Sequence, residues 1–211
     1  MNRIVIFLLM LCLYSSIYAQ YSNSDLRKVD GLSLGLEKNN SVWLDYGFKR
    51  GFHIHVKHSA IADKLPRQSW QIGASYNYWR KDIGFCLSPF LTSDWYVSFV
   101  NWGCSFKLSS FWKKEVIKVG IEYLPYFDSD LKFQNAWAVA AQTLLHKNIS
   151  LFAEYGRKPD YRIAYKRAYL GFEMKAAELY VKPMLEIPIY DSGIRFDHSK
   201  IVVSLFYNFA G

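Results

Sequence analysis

Two adjacent His-Ser pairs, His58-Ser59 and His198-Ser199, are the residues of this chain best suited to acyl-transfer chemistry. A serine attacks an ester when a base lies within hydrogen-bond reach and a further group orients that base. Neighbouring side chains of a strand point to opposite faces, so a histidine cannot serve the serine beside it. A working set has to join elements: His58 with Ser199, or His198 with Ser59, with Asp63 or Asp197 orienting the imidazole. Such a set would make an esterase or deacylase. The competing reading, polar residues at loop edges, is preferred, and no catalytic residue is favoured. The chain has no GxSxG, Walker or HExxH pattern.

His53 and His55 sit two apart, a spacing that puts both side chains on one face of a strand. With Asp45 or Glu186 nearby they could approach a metal. The chain shows no third-ligand motif and no Cys/His metal spacing, so inward-facing, hydrogen-bonded histidines are the simpler reading. No metal and no cofactor is expected.

These residues are carried by segments that alternate. Ile72, Ala74, Tyr76 and Tyr78 share one face and Gln71, Gly73, Ser75 and Asn77 the other. The same period of two runs through 83–91, 179–190 and 201–209, and it means strands. Polar punctuation such as Arg80-Lys81-Asp82 and His146-Lys147-Asn148 separates the runs. Twelve strands are expected, near 31–37, 41–49, 51–58, 69–79, 82–91, 95–107, 116–125, 133–145, 148–157, 162–174, 178–190 and 200–209. The Ala-rich stretch 136–141 reads as strand because Trp137, Val139 and Thr143 alternate with the alanines. Strands of about 10 residues suit a tilted membrane crossing, whereas soluble strands average about 5–6. Twelve of them leave connections of about 6 residues, and eight would leave about 16, so twelve fits better than ten or eight.

The composition agrees with a folded β protein. The chain has 211 residues, 18% of them aromatic, which excludes intrinsic disorder. One long apolar run, Ile4 to Tyr14, follows Arg3 and precedes Ala19. It is too short for a spanning helix and reads as a signal peptide cleaved after Ala19. The expected organisation is therefore signal peptide 1–19, periplasmic tail 20–30 and barrel 31–211. Cys86 is expected to face inward and Cys104 outward, as two unpaired thiols.

The signal peptide, the alternating strands and a last strand ending in Tyr207 and Phe209 make residues 31–211 resemble a bacterial outer-membrane β-barrel. The resemblance implies a closed antiparallel transmembrane β-barrel, all-β, in the outer membrane, with both termini in the periplasm. It implies partners: outer-membrane lipids, and the assembly machinery that reads a terminal aromatic, although Ala210-Gly211 follow Phe209 here. It also gives the esterase alternative a substrate class, outer-leaflet phospholipid or lipid A.

Charge can then be placed. Formal net charge is +8. The inner turns near 50, 81, 108–115, 147 and 176 carry Lys49, Arg50, Arg80, Lys81, Lys113, Lys114, Lys147 and Lys175 against Asp82, Glu115 and Glu178. That basic rim suits anionic lipids of the inner leaflet. The outer loops, near 39, 59–68, 93, 126–132, 158–161 and 191–199, are nearly balanced. The expected lumen network is balanced too: Asp45, Glu122, Glu154, Glu173 and Glu186 against Lys57, Lys107, Lys118, Arg167 and Lys182, with His53 and His55. Trp43, Trp70, Tyr78, Trp102, Phe106, Tyr207 and Phe209 are expected in aromatic girdles. The preferred function is a narrow pore or a structural and interaction module, not an enzyme. A solute-specific channel is the further alternative, and no nucleic-acid partner is expected.

Overall fold

The computed structural model describes residues 31–37, 41–48, 51–63, 65–94, 99–112, 116–160 and 163–209. The expected signal peptide and tail, 1–30, lie outside the described residues. The strands are β1 (Gly31–Glu37), β2 (Ser41–Gly47), β3 (Phe52–Asp63), β4 (Leu65–Arg80), β5 (Ile83–Asp94), β6 (Phe99–Trp112) and β7 (Ile117–Phe127). They continue with β8 (Phe133–His146), β9 (Ile149–Asp160), β10 (Ile163–Ala176), β11 (Leu179–Tyr190), β12 (Gly193–Ile194) and β13 (Lys200–Phe209). A short 3-10 turn, Phe196–His198, precedes β13.

Each strand from β1 to β11 pairs antiparallel with its sequence neighbours; β13 passes over the two-residue β12 to pair with β11 and then closes on β1. The result is a closed twelve-stranded antiparallel barrel with β12 as an appendage of β11. At the seam Leu32 faces Phe209 and Leu36 faces Leu205. Ser33 Oγ donates to Asn208 Oδ1 across it, a buried bond of 3.0 Å. The row of register partners Leu34, Leu44, Val56, Ile72, Leu91, Trp102, Phe127, Phe133 starts in mid-strand on β1 and reaches the first residue of β8. The strands are therefore steeply tilted, as closure of a barrel requires.

The two faces follow the alternation. Outward stand Ile72, Ile121, Leu170 and Ile201, exposed by 50–74%. A continuous apolar wall of this kind needs a non-aqueous covering, and lipid covers a closed barrel on all sides. Aromatic rings edge it at both ends. At the end carrying Gly31 and Phe209, the turn end, Tyr46–Phe48 and Tyr207–Phe209 pack with centroids 4.8 Å apart. At the opposite, loop end, Trp102 stacks on Phe127 at 4.9 Å, and Trp137 meets Tyr155 at 5.2 Å. Inward, small residues keep the interior from overfilling; Ala136, Ala138 and Ala140 line it from β8, which is strand throughout. Cys86 is buried inside and Cys104 sits on the outward row opposite Pro89; both thiols are free.

Four expectations change. Of the connection expected at 59–68, residues 59–63 and 65–68 are strand, since β3 runs on to Asp63 and β4 starts at Leu65. Likewise β9 reaches Asp160, and β6 continues to Trp112 through the expected turn at 108–112. The ladder of backbone hydrogen bonds prolongs these strands past the point where apolar alternation fades. Finally, Trp43 is not in a girdle: it shares the inward face with Asp45, and its ring lies over Gly35 on β1.

Candidate functional site: the barrel lumen

Parity and register place Asp45, His53, His55, Lys57, Lys107, Lys118, Glu122, Glu154, Arg167, Glu173, Lys182 and Glu186 on the inward face. They gather in local clusters along the wall rather than in one ring. On β2 and β3, His53 Nδ1 lies 2.9 Å from Asp45 Oδ1, and His55 is the register partner of Asp45. On β6 and β7, Lys107 Nζ lies 3.9 Å from Glu122 Oε1, which also accepts a 2.6 Å hydrogen bond from Ser105 Oγ. On β10 and β11, Arg167 Nε lies 3.4 Å from Glu186 Oε1, and Tyr169 donates to Glu186 Oε2 at 3.4 Å. Glu154 stands opposite Tyr169 on β9.

The densest cluster surrounds Lys182, whose side chain is fully buried. Its Nζ is 3.7 Å from Glu173 Oε2 and 3.4 Å above the Phe152 ring centroid. Gln142 Nε2 donates to Glu173 Oε1 at 3.2 Å. Lys118 Nζ stands 5.5 Å from the Phe111 ring. Buried charges persist when paired and hydrogen-bonded, and a cation over an aromatic face gains further when desolvated. Phe152 and Gln142 were not foreseen as members. Their inward parity was legible, but their contact with Lys182 depends on a register between β8, β9 and β11 that no local pattern specifies.

Accessibility is uneven around the wall. Glu122, Ala138, Glu154, Tyr169, Met184 and Val202 are buried, and Phe152, Tyr169, Met184, Val202 and Ala140 form an apolar cluster inside the barrel. On β2–β4, by contrast, Asp45, His55, Lys57, Gln71 and Ser75 keep partial exposure. Buried side chains from β7–β13 thus fill much of the cross-section, and the partly exposed inward residues include Lys118, Gln142, Arg167 and Glu173 as well as those of β2–β4. A barrel of this strand number lies between small filled barrels and wide aqueous porins.

The His/Ser residues are not assembled. His58 lies on the outward face, its ring 4.4 Å from that of Trp70. Ser59 is a strand residue opposite Ser69, well inside β3 rather than at its rim. His198 is in the 3-10 turn, with Nδ1 3.4 Å from Tyr190 Oη and Nε2 3.5 Å from Asp197 Oδ2. Ser199 donates its backbone N–H to the Phe196 carbonyl. The register row of His58 passes through Val42 and Leu36 to Leu205. Ser199 lies six residues further along β13, about 20 Å at about 3.3 Å per residue.

No protein-family model matches the chain, and no curated protein sequence does. Among solved structures, a KdgM porin matches with a TM-score of 0.59 at 14% identity, covering 84% of this chain and 97% of that one. The chain shares the barrel fold of that porin. A KdgM porin in complex with disordered oligogalacturonate matches at 0.60, with the same identity and coverage. A NanC porin matches at 0.54 and 9% identity, covering 85% of this chain and 98% of that one. The likeness spans most of this chain and nearly all of each solved porin.

Proposed function

We propose that this chain is an outer-membrane barrel acting as a narrow pore with little charge selectivity. The observation that carries the reading is the lumen: a closed barrel lined by charges that are matched in place, Lys107 with Glu122, Arg167 with Glu186, Lys182 with Glu173 and His53 beside Asp45. The partly exposed inward residues of β2–β4 mix Asp45, His55 and Lys57 with Gln71 and Ser75. A polyanion such as the oligogalacturonate held by one of the similar porins would call for a continuous basic track along the path, whereas the inward bases outside these pairs, Lys57, Lys118, Lys175 and Lys200, are scattered over β3, β7, β10 and β13. Small neutral or zwitterionic solutes suit it better. The outward apolar wall and its two aromatic bands suit a bilayer. Arg80, Lys81 and Lys147 at the turn end would face anionic inner-leaflet lipids, and Phe209 would be the aromatic that the assembly machinery reads.

Single-channel recording of the folded chain in a planar bilayer tests this. Small, resolved current steps are expected, with a reversal potential near zero under a KCl gradient. Strong anion or cation preference would overturn the charge-balanced pore. Stable insertion with no current would favour the second reading, a structural and interaction module, which the apolar cluster around Phe152 and Met184 also fits.

A further inference from the structure

We propose that Arg157 and Lys166 form a binding site for the phosphate of an anionic lipid at the loop end of the outer wall. The proposal rests on the membrane-barrel reading above. The two residues are direct register partners on β9 and β10. Parity puts both on the outward face, in line with Tyr155 and Leu170, which are exposed there. Trp137, the register partner of Arg157 on β8, packs edge-on against Tyr155. On the other side Ile189 is the register partner of Lys166. The pair therefore lies within the aromatic band, framed by apolar side chains, at the height of lipid head groups.

Like charges placed directly opposite on neighbouring strands repel. A cation on the lipid-facing side is costly at the bilayer midplane and tolerated near its interfaces. Two cations side by side in this position suit one shared anion. A phosphate can accept a forked pair of hydrogen bonds from the guanidinium and meet the ammonium as a point charge. The neighbouring acids do not supply that anion in full. Lys166 Nζ is 3.3 Å from Asp191 Oδ1, but the Asp191 side chain is 98% exposed. Asp197 is taken by Arg195 Nε at 3.3 Å and His198 at 3.5 Å. Among the described side chains of this sector, Arg157, Lys166 and Arg195 face two carboxylates, Asp191 and Asp197.

The test uses the full chain folded in detergent micelles, with bisphosphorylated and dephosphorylated lipid A as probes and native mass spectrometry as readout. The parent should retain the phosphorylated lipid at least about tenfold better, the scale of one charge-assisted contact. Arg157→Gln/Lys166→Gln should erase that preference. Lys166→Glu should also erase it, and should raise the unfolding midpoint in lipid-free detergent by replacing a repulsion with an ion pair; a merely structural lysine would not behave so. Lys81→Gln, at the opposite rim, should leave the preference intact. An unchanged preference in the double variant, or equal loss in Lys81→Gln, overturns the site. Full displacement of the lipid by millimolar inorganic phosphate overturns the lipid assignment in favour of a general anion site. Failure of the parent to insert into vesicles would sink the membrane reading instead, a distinct result.

Discussion

Gly73 has no side chain because its neighbours leave no room for one. A Cβ there would run into the His55 imidazole and come within 2.8 Å of the Pro89 carbonyl oxygen. His55 fills the space above Gly73, and the pair shapes the inward face of β2–β4. Gly73→Ala should cost about 1–3 kcal/mol, as overpacking does, read as a lower urea midpoint by tryptophan emission in micelles. An unchanged midpoint would mean that His55 is free to swing away. Gly35 and Trp43 repeat the arrangement. The parity of Trp43 with Asp45 was legible in the sequence, but a tryptophan in a barrel suggests a girdle. The hole that receives it exists only because glycine stands at the register position opposite. Asp128 acts at the same scale in the β7–β8 loop. Its Oδ1 accepts from the backbone N–H of Lys132 at 2.9 Å and of Asp130 at 3.0 Å. The Lys132 N–H chiefly, and Gln134 after it, hold its carboxyl below the usual value of 3.8. With a folded value below the unfolded one, the support it lends is complete above about pH 4 and is lost as pH falls through the lowered value. The protection factors of the Asp130 and Lys132 amides, referred to the intrinsic rate at each pH, should therefore hold at pH 5 and fall in acid or in Asp128→Ala.

At the scale of elements, the interior pairs join strands that are already hydrogen-bonded, so their role is to fix how side chains fill the lumen. Arg167 joins β10 to Glu186 on β11, and both side chains are largely buried. Arg167→Ala takes a cation away from a buried carboxylate, and a loss of up to about 3–5 kcal/mol is expected in denaturant titration. Adding Glu186→Gln to that variant should recover part of the loss; no recovery would mean that the pair is not what holds the site. Strand identity was legible because alternation is local, and even the Ala-rich β8 kept it. Strand ends were not. Ser59 to Gln68 lacks a clear apolar period, yet β3 and β4 continue through it, because a hairpin ladder extends for as long as two backbones stay in register. The lumen contacts were legible only as parity. Which inward residues meet follows from tilt and stagger, as with Lys182 reaching Phe152 from β11, and those are properties of the closed ring.

At the scale of the whole molecule, one surface does two opposite things. The wall is apolar outside through its middle band, and inside it carries charges that are largely paired in place. That combination keeps the lumen's paired charges between neighbouring strands. It also separates the tests: lumen substitutions should change current, whereas Arg157 and Lys166 should change lipid retention and leave current alone.

The seam between β1 and β13 has a consequence for timing. Its buried bond joins Ser33 to Asn208, residues from the first and last strands of the barrel. Until β13 is made, β1 and β11 each present a row of unpaired backbone groups, and hydrocarbon offers them no partner. A nascent barrel of this chain therefore cannot rest in lipid as a stable fragment. It must be held, by water or by a helper that lends a temporary edge, until its last strand arrives. The final hairpin, with Lys182 on β11 and Val202 on β13 already turned inward, is what converts a ribbon into a ring.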